Sequence, residues 1–493
     1  MNYGNMGGRI MTRSHVILIQ ACKFSLITEK YKERYPYPPF GLICLANILK
    51  MNGYDVTIID LYLEPLSKRE FVKKLTQSKR PLLIGISSYT DSILDAYKIA
   101  ETAKEIYYDV PIIMGGPHVS FMFEEVMKDC YAVDFCCLGE GEPVLVELLE
   151  YLQYGVPNLK DIYGLVYRNS LGQCIANPKR GFIDSLDIMP FPWFSEKVQS
   201  IIREGEGFVF VSSRGCPGEC IFCASRALSG PKYRCHSAEW LASLIYYYYK
   251  LLSFKMFGPL DDTFTANRIR LKKFLSYLKI LEINIPWSCK SRVDVIDGEL
   301  VEILYKSKCI SVHIGVESGD DEVLKSIEKR ITVEKVLKAI TLLASKGIRA
   351  ECSFIIGHPS DTLESIERTL ILADKLDKCG VAISVMGICT PFPGTKIWNR
   401  LKLYELQYGL KIHTYNWRLY DLGTPIFSTN NFTLDDLRRA FFYFNYLRKT
   451  GQILPLLTKY NHSNYIKMID DYLSIIHKIR STNEDEVNQK NDV

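Results

Sequence analysis

The sequence predicts an α/β protein built on two parallel sheets and followed by a mainly helical C-terminal region. Three observations predict it. Short β-branched runs alternate with amphipathic stretches from residue 14 to about 150, the βαβα rhythm of a doubly wound parallel sheet with helices on both faces. A second series of six βα units runs from about 201 to 400, which suits a parallel barrel or partial barrel. Between them residues 160–195 turn irregular, and beyond 400 the pattern is helical. The expected boundaries are therefore 1–150, a linker over 151–200, 201–400, and a helical region over 401–493.

In the first unit "HVILIQA", "DVTIIDLY", "PLLIGISSY", "PIIMGGPH" and "DFCCLGEGE" read as strands, and "PPFGLICLANILKMNG" and "DAYKIAETAKEIY" as helices. The strands end in turn-rich groups: Ser87, Ser88 and Tyr89; Gly115, Gly116 and Pro117; Gly139, Glu140 and Gly141. These groups should share the carboxyl edge of the sheet, where open α/β sheets bind ligands. The plainer reading, glycines that only close tight turns, stays open beside it. No G-x-x-x-x-G-K-[ST] and no G-x-G-x-x-G follows the first strand, which argues against nucleotide binding.

In the second unit the strand-like runs are "FVFVSSRGC", "FKMFGPLDD", "IPWSCKSR", "CISVHIGVES", "RAECSFIIGHP" and "GVAISVMGICTPFPG". Helical stretches such as "SAEWLASLIYYYYKLL" and "TVEKVLKAITLLASKG" separate them, and functional residues belong on the loops after the strands. The tyrosine run at 246–249 reads as a bulky amphipathic helix face. Further on, Thr433 and Asp436 stand at capping-box spacing and open a helix expected to cover the barrel mouth. The polar ending "RSTNEDEVNQKNDV" is expected to fray.

The bulk numbers narrow the class. At 493 residues, 47% hydrophobic and 24% charged, the chain can bury a sizeable core. Its net charge of +5 is dispersed and forms no basic stripe, so nucleic acid is not an expected partner. No run of about 18 apolar residues predicts a transmembrane helix. Fifteen cysteines, an odd number with no secretory h-region ahead of them, fit a reduced, cytoplasmic compartment better than a disulfide framework.

Three of those cysteines, Cys216, Cys220 and Cys223, fall within "SSRGCPGECIFCAS". Their C-x3-C-x2-C spacing lets one loop present three thiolates to a single centre. Four soft ligands would close a structural zinc site, for which Cys235 or His236 is the nearest fourth donor. Three leave a position open: on a [4Fe–4S] cube they hold three irons, and the fourth iron can bind a substrate group. Three unligated core cysteines are a poorer reading, because "RGCPGEC" is too polar and turn-rich for a core strand.

With aromatic Phe222 before its last cysteine, this motif resembles that of the radical S-adenosylmethionine (SAM) superfamily. "GPLDDTFTANRIR", "WSCKSRVD", "HIGVESG", "FIIGHPSDT" and "CTPFPGT" follow in the order expected of it, and with the first unit the chain resembles the cobalamin-binding branch over residues 36–400. The resemblance implies a Rossmann-like cobalamin-binding domain, then a (β/α)6 partial TIM barrel whose three cysteines hold a [4Fe–4S] cluster. It implies that SAM chelates the open iron and is reduced to methionine and a 5′-deoxyadenosyl radical. It further implies that Asp261 or Asp262 faces the methionine ammonium, that Glu317 bonds the ribose hydroxyls with Ser318 nearby, and that Gly357 lets backbone approach the adenine. Rival readings remain for each: a helix-capping pair for Asp261 and Asp262, and a strand-end ion pair for Glu317. Arg292 either binds the SAM carboxylate or only pairs with Asp294.

The resemblance also implies that the glycine- and serine-rich strand ends, with Gly41 from the "YPYPPFGL" loop (35–42), surround cobalamin. None of the eight histidines sits in a D-x-H-x-x-G pattern, which leaves the lower cobalt ligand to water, to the 35–42 loop or to nothing. His118 reads as a turn or edge residue rather than a cobalt ligand. The leading function is radical C-methylation of a small-molecule or peptide substrate by methylcobalamin, with a reducing partner such as flavodoxin or ferredoxin. The alternative is a non-methylating radical outcome such as cyclisation, ring contraction or epimerisation. A corrinoid-sensing regulator would not need the three cysteines, and Cys22 and Cys44 are not a convincing second cluster set for a methylthiotransferase.

Overall fold

The computed structural model describes residues 14–22, 37–447, 464, 466–471 and 473–476. The polar ending over 480–493 and residues 35–36 of the expected cobalt-ligand loop lie outside them. The chain divides into two compact units: residues 1–182 with 189–193, and residues 183–188 with 194–493.

In the first unit β1 (His15–Gln20), β2 (Asp55–Asp60), β3 (Pro81–Ser87), β4 (Ile112–Gly115) and β5 (Phe135–Cys137) pair in parallel in the order β2-β1-β3-β4-β5. All six residues of β1 are buried, as a strand covered on both faces requires. Val16 and Leu18 join the core formed with helices Phe40–Met51 and Glu142–Tyr154, and the alternating Ile17 and Ile19 are buried on the opposite face. The strand order reverses between β1 and β3, where Gln20 lies beside Ser87. A reversal of this kind opens a crevice at the carboxyl ends of the strands.

The segment expected as a linker contributes two further strands. β6 (Leu165–Arg168) pairs antiparallel with β5, and β7 (Cys174–Ala176) pairs antiparallel with β6. Their hairpin is closed by Asn169 and Gln173, with Gly172 at positive φ. Neither stands out as an apolar run, since β7 is largely exposed and β6 is buried only at Leu165 and Val166. Their position covers what would otherwise be a bare edge at β5.

In the second unit β8 (Phe208–Phe210) is followed by a short antiparallel pair, β9 (Ser213–Arg214) and β10 (Arg234–Cys235). Then come β11 (Phe257–Pro259), β12 (Trp287–Ser291), β13 (Cys309–Glu317), β14 (Arg349–Ile356) and β15 (Ala382–Ile388). The order β8-β11-β12-β13-β14-β15, parallel throughout, is the expected six-stranded partial barrel. The helices Ala238–Leu252, Arg268–Ile280, Gly298–Lys306, Val333–Ala344 and Leu363–Lys378 connect its strands. Each starts at a polar N-cap whose side chain accepts a first-turn N–H: Ser237, Asn267, Asp297, Thr332 and Thr362. Val312, Ile314 and Val316 are fully buried on the face that these helices cover. In the tyrosine run Tyr248 is buried and Tyr246 and Tyr247 are exposed, as an amphipathic face demands.

The C-terminal region is mainly helical, with Lys396–Asn399, Leu401–Tyr408 and Leu434–Phe442, and adds one short antiparallel pair, β16 (Lys411–Ile412) with β17 (Phe427–Ser428). Thr433 and Asp436 form the expected capping box. Among the described residues no helix is long and apolar enough to cross a membrane.

Candidate functional site

The loop between β9 and β10 carries the three cysteines, and backbone contacts hold it from several sides. Cys216 N–H donates to Gly230 O at 3.3 Å and Ile221 N–H to Ile327 O at 3.1 Å, while Ile397 N–H donates to Ile221 O at 3.2 Å. Gly215, at φ +87°, has no room for a side chain, because a Cβ would run into the Lys232 carbonyl oxygen. Cys216 and Cys220 are half-buried and Cys223 is exposed. Ser225 N–H donates to Cys223 Sγ at 3.4 Å.

Among the described residues no three His, Cys, Asp or Glu side chains converge on one metal ion. A cube whose corners each take one thiolate does not require convergence on a point. The two weighed fourth donors are engaged elsewhere: His236 stacks on Trp240 at 3.5 Å and pairs with Asp187, and Cys235 belongs to β10. Burial pushes the Cys220 thiol up, and Lys329 and Arg292 pull it back down. Three thiols on a restrained loop beside two cations fit an anionic iron–sulfur cluster.

The expected SAM contacts gather near this loop with unequal freedom. Asp261 is buried and both its oxygens are engaged, accepting from Ser212 N–H at 2.6 Å, Ser212 Oγ at 2.7 Å and Ser213 N–H at 3.2 Å. Burial outweighs these bonds and raises its pKa. It neither caps a helix nor stands free. Asp262 is exposed and accepts from Ser225 Oγ, next to the last cysteine. Of the two roles weighed for Arg292, the structure shows the pairing with Asp294. Nε and Nη2 grip Asp294 at 2.9 and 2.8 Å, while Nη1 lies 2.8 Å from the position of a Cβ on Gly218, a position also 3.3 Å from Cys216 Sγ.

Glu317 sits at φ +70°, at a bulge where β13 slips register against β14, and pairs with buried Lys329 at 2.6 Å. A bulge at such a place re-aims a side chain. Gly315 makes room for the pair, since a Cβ there would strike Glu317 Oε1. Ser318 is engaged in structure: its hydroxyl accepts from Asp320 N–H at 3.1 Å and contacts Thr369 Oγ1 at 3.2 Å. The clearance left by Gly357, at φ +77°, is filled by Leu437, whose methyls lie 2.8 Å from where a Cβ would stand. The expected adenine approach at Gly357 is thus covered by a leucine from the C-terminal region. Phe222 lies 5.3 Å from the ring of His358, a fully buried histidine held near pKa 3 by burial.

Sequence reasoning missed Lys329, His358 and Gly218. Gly218 lies within the cysteine loop and His358 within the quoted "FIIGHPSDT", but neither spacing marks its role; only the fold brings Lys329 and His358 to that loop.

In the first unit the three strand-end groups do share the carboxyl edge. Ser87 ends β3 at the strand-order reversal, and Ser88 Oγ is fully buried with no hydrogen-bond partner among the described residues. Such an orphaned hydroxyl, beside small residues at a crevice, fits a polar ligand. Gly116, at φ +104°, is required by the fold itself, because a Cβ would lie 2.5 Å from Ser88 O. Gly115 meets only an ordinary 3.7 Å contact, with Cys137. Pro117 starts the helix Pro117–Asp129, Gly139 N–H donates to Ser120 Oγ at 3.1 Å, and Gly141 precedes the helix Glu142–Tyr154. Tyr89 is exposed and Glu140 half-buried, and Gly41 faces open space in the first turn of Phe40–Met51. His118 starts a helix but is no edge residue: it is wholly buried, 3.3 Å from Thr90 Oγ1, and burial lowers its pKa to about 4.

Residues 32–149 match the B12 binding domain family, and residues 210–373 match the Radical SAM superfamily. The chain is 34% identical over 420 residues to an uncharacterized methyltransferase of Pyrococcus horikoshii, covering 83% of this chain and 88% of that one. It is 27% identical over 405 residues to the anaerobic magnesium-protoporphyrin IX monomethyl ester cyclase of Rubrivivax gelatinosus, covering 79% and 70%. Among solved structures, the cobalamin-dependent radical enzyme OxsB, with aqua-cobalamin and SAM bound, superposes with a TM-score of 0.72 at 19% identity over 94% of this chain and 72% of that one. The methyltransferase TsrM of Kitasatospora setae, with cobalamin and a [4Fe–4S] cluster bound, superposes at 0.68 and 14% identity over 96% and 100%. At those identities the superpositions speak for the fold.

Proposed function

Since the chain belongs to the cobalamin-binding radical SAM enzymes, we propose that it is a C-methyltransferase acting on an unactivated carbon. The observation that carries methyl transfer is the 34% identity along 83% of the chain to the Pyrococcus methyltransferase. When bound, the cluster supplies the electron that cleaves SAM to a carbon-centred radical able to remove hydrogen, and methylcobalamin supplies the methyl group.

In this reading Cys216, Cys220 and Cys223 hold the cluster, and their loop is kept in place by backbone bonds rather than by the metal. Asp262, with one face open to solvent, is the carboxylate for the methionine ammonium; Asp261 orders the end of β8 behind it. Arg292, oriented by Asp294, offers Nη1 to the methionine carboxylate. Glu317, re-aimed by the bulge, meets the ribose hydroxyls, with Lys329 compensating its charge. Ser87, Ser88, Gly115 and Gly139 leave the first sheet's carboxyl edge open for the corrinoid. An electron enters from a flavodoxin- or ferredoxin-like protein. All fifteen cysteines are free thiols, which supports a reducing, cytoplasmic setting.

SAM carrying a deuterated methyl group tests the reading. The expected product carries the label, with 5′-deoxyadenosine and S-adenosylhomocysteine released in roughly equal amounts. The cyclase reading, favoured by the Rubrivivax relative, expects deoxyadenosine without matching S-adenosylhomocysteine. An unlabelled product would exclude methyl transfer.

A further inference from the structure

The inner face of the partial barrel lacks the residues that normally fill one. In closed barrels bulky branched side chains pack the interior. Here strand alternation turns Val312, Ile314, Ala350 and Cys352 toward the helices and leaves the opposite face to other chemistry. That face carries Ser288 and Lys290 on β12, His313 on β13, Glu351 and Ser353 on β14, and Ser384 on β15. Lys290, His313 and Glu351 stand in register across three adjacent strands. Gly258 keeps the space beside Ser288 clear; a Cβ there would sit 3.0 Å from Ser288 Oγ.

The polar groups of this row are ordered. His313 Nε2 is 3.3 Å from Ser353 Oγ and its Nδ1 is 3.3 Å from Ser384 Oγ, so both ring nitrogens are oriented. Burial first, then the nearby Lys290 charge, holds His313 below the usual imidazole range and favours its neutral form. Glu351 is already paired with Arg349 at 2.8 Å. Lys290 is half-buried, and no carboxylate among the described residues pairs with it. A cation that no carboxylate among the described residues pairs with, flanked by hydroxyls and an oriented imidazole, is suited to an oxyanion.

We propose that this row anchors the substrate, and that the substrate is a polar molecule bearing a carboxylate or phosphoryl group held by Lys290, His313, Ser353 and Ser384. This rests on the reading of the chain as a radical SAM methyltransferase and names its substrate class. His313 lies four residues below Glu317 on β13, about 13 Å at ~3.3 Å per residue. The anionic group would therefore be held about that far from the residue read as the ribose contact.

The test uses the full chain, reconstituted anaerobically with cluster and cobalamin and saturated with SAM but given no reductant. Inorganic pyrophosphate and glutarate are titrated separately, with binding read by calorimetry. One of them is expected to bind on the order of 1 mM. Tighter pyrophosphate binding assigns a phosphoryl group, and tighter glutarate binding a carboxylate. Lys290→Met should weaken that binding by roughly tenfold or more, and Lys290→Arg by no more than about threefold. Lys335→Met removes an exposed lysine on an outer helix and is the charge-matched control, expected to bind as the wild type does. Should Lys290→Met not fold, Lys290→Gln set against Lys290→Arg gives the same comparison. No binding of either probe to the wild type, equal binding by the charge-removing variant, or an equal loss in Lys335→Met overturns the proposal. Binding is read without turnover, so its failure leaves the deuterium experiment standing, and failure of that experiment leaves this one standing.

Discussion

Lys329 places its ammonium 2.6 Å from the carboxylate of Glu317, twelve residues earlier, where β13 abandons its regular register. Both side chains are almost wholly buried. Burial alone would lower the Lys329 pKa, but Glu317 and Cys220 outweigh it and the ammonium is held charged. Replacing Lys329 with Met strands a buried carboxylate, at an expected cost of about 3–5 kcal/mol. Thermal unfolding of the full chain measures it. Adding Glu317→Gln should return a large part of the loss; a double variant as unstable as the single one would mean that the pair is not coupled.

Replacing Cys216, Cys220 and Cys223 together with Ala should remove iron and the visible charge-transfer absorbance. Far-UV circular dichroism should stay that of the wild type, because the loop is held by Gly230, Ile327 and Ile397. Iron retained at the wild-type level would refute the ligand assignment.

Two substitutions in the first unit should behave differently. Gly116→Ala combines a positive φ with a 2.5 Å approach to Ser88 O and should destabilise by more than about 1 kcal/mol. Ser87→Trp, at the end of β3, adds bulk to the crevice without that clash. It should fold, keep its iron and lose affinity for hydroxocobalamin, read as co-elution of corrinoid absorbance in gel filtration. Full corrinoid occupancy in Ser87→Trp would count against this edge as the cobalamin site.

Asp361 predicts a pH dependence. Burial raises its carboxyl to about 7, against the pull of Ser365 Oγ at 2.5 Å and His358 N–H at 2.8 Å. In the unfolded chain it titrates near ~3.9. Between about pH 4 and pH 7 the folded state therefore binds more protons, and stability falls as pH rises. The part due to this group is on the order of 4 kcal/mol, complete above pH ~7. Asp361→Asn should flatten the stability profile across that window. An unchanged slope would show that other groups produce it.

What could be read in the sequence was local. The cysteine loop is three ligands within eight residues, and the paired Thr433 and Asp436 are three apart, so spacing alone carried both. β1 announced itself as an apolar run because it is buried on two faces, and β13 and β14 as alternating runs because one of their faces is fully covered. Partner choice across the fold was not legible. Nothing near Asp261 shows that Ser212, forty-nine residues earlier, takes its carboxylate, or that Leu437 fills the space beside Gly357. β6 and β7 escaped notice because β7 is largely exposed and β6 is buried only at Leu165 and Val166, so neither stands out as an apolar run, although Gly172 marked their turn.

The anchoring of the cysteine loop bears on how the protein meets oxygen. Oxidation dismantles an exposed iron–sulfur cube, and a domain folded around its metal would then unravel and be degraded. Here the carbonyls of Gly230 and Ile327 and the amide of Ile397 hold the loop through backbone bonds in which no cysteine sulfur takes part. A loop tied in this way is expected to outlast loss of the cube. Reduced thiols, iron and sulfide can rebuild the centre on it in place, so an episode of oxidation calls for repair rather than new synthesis.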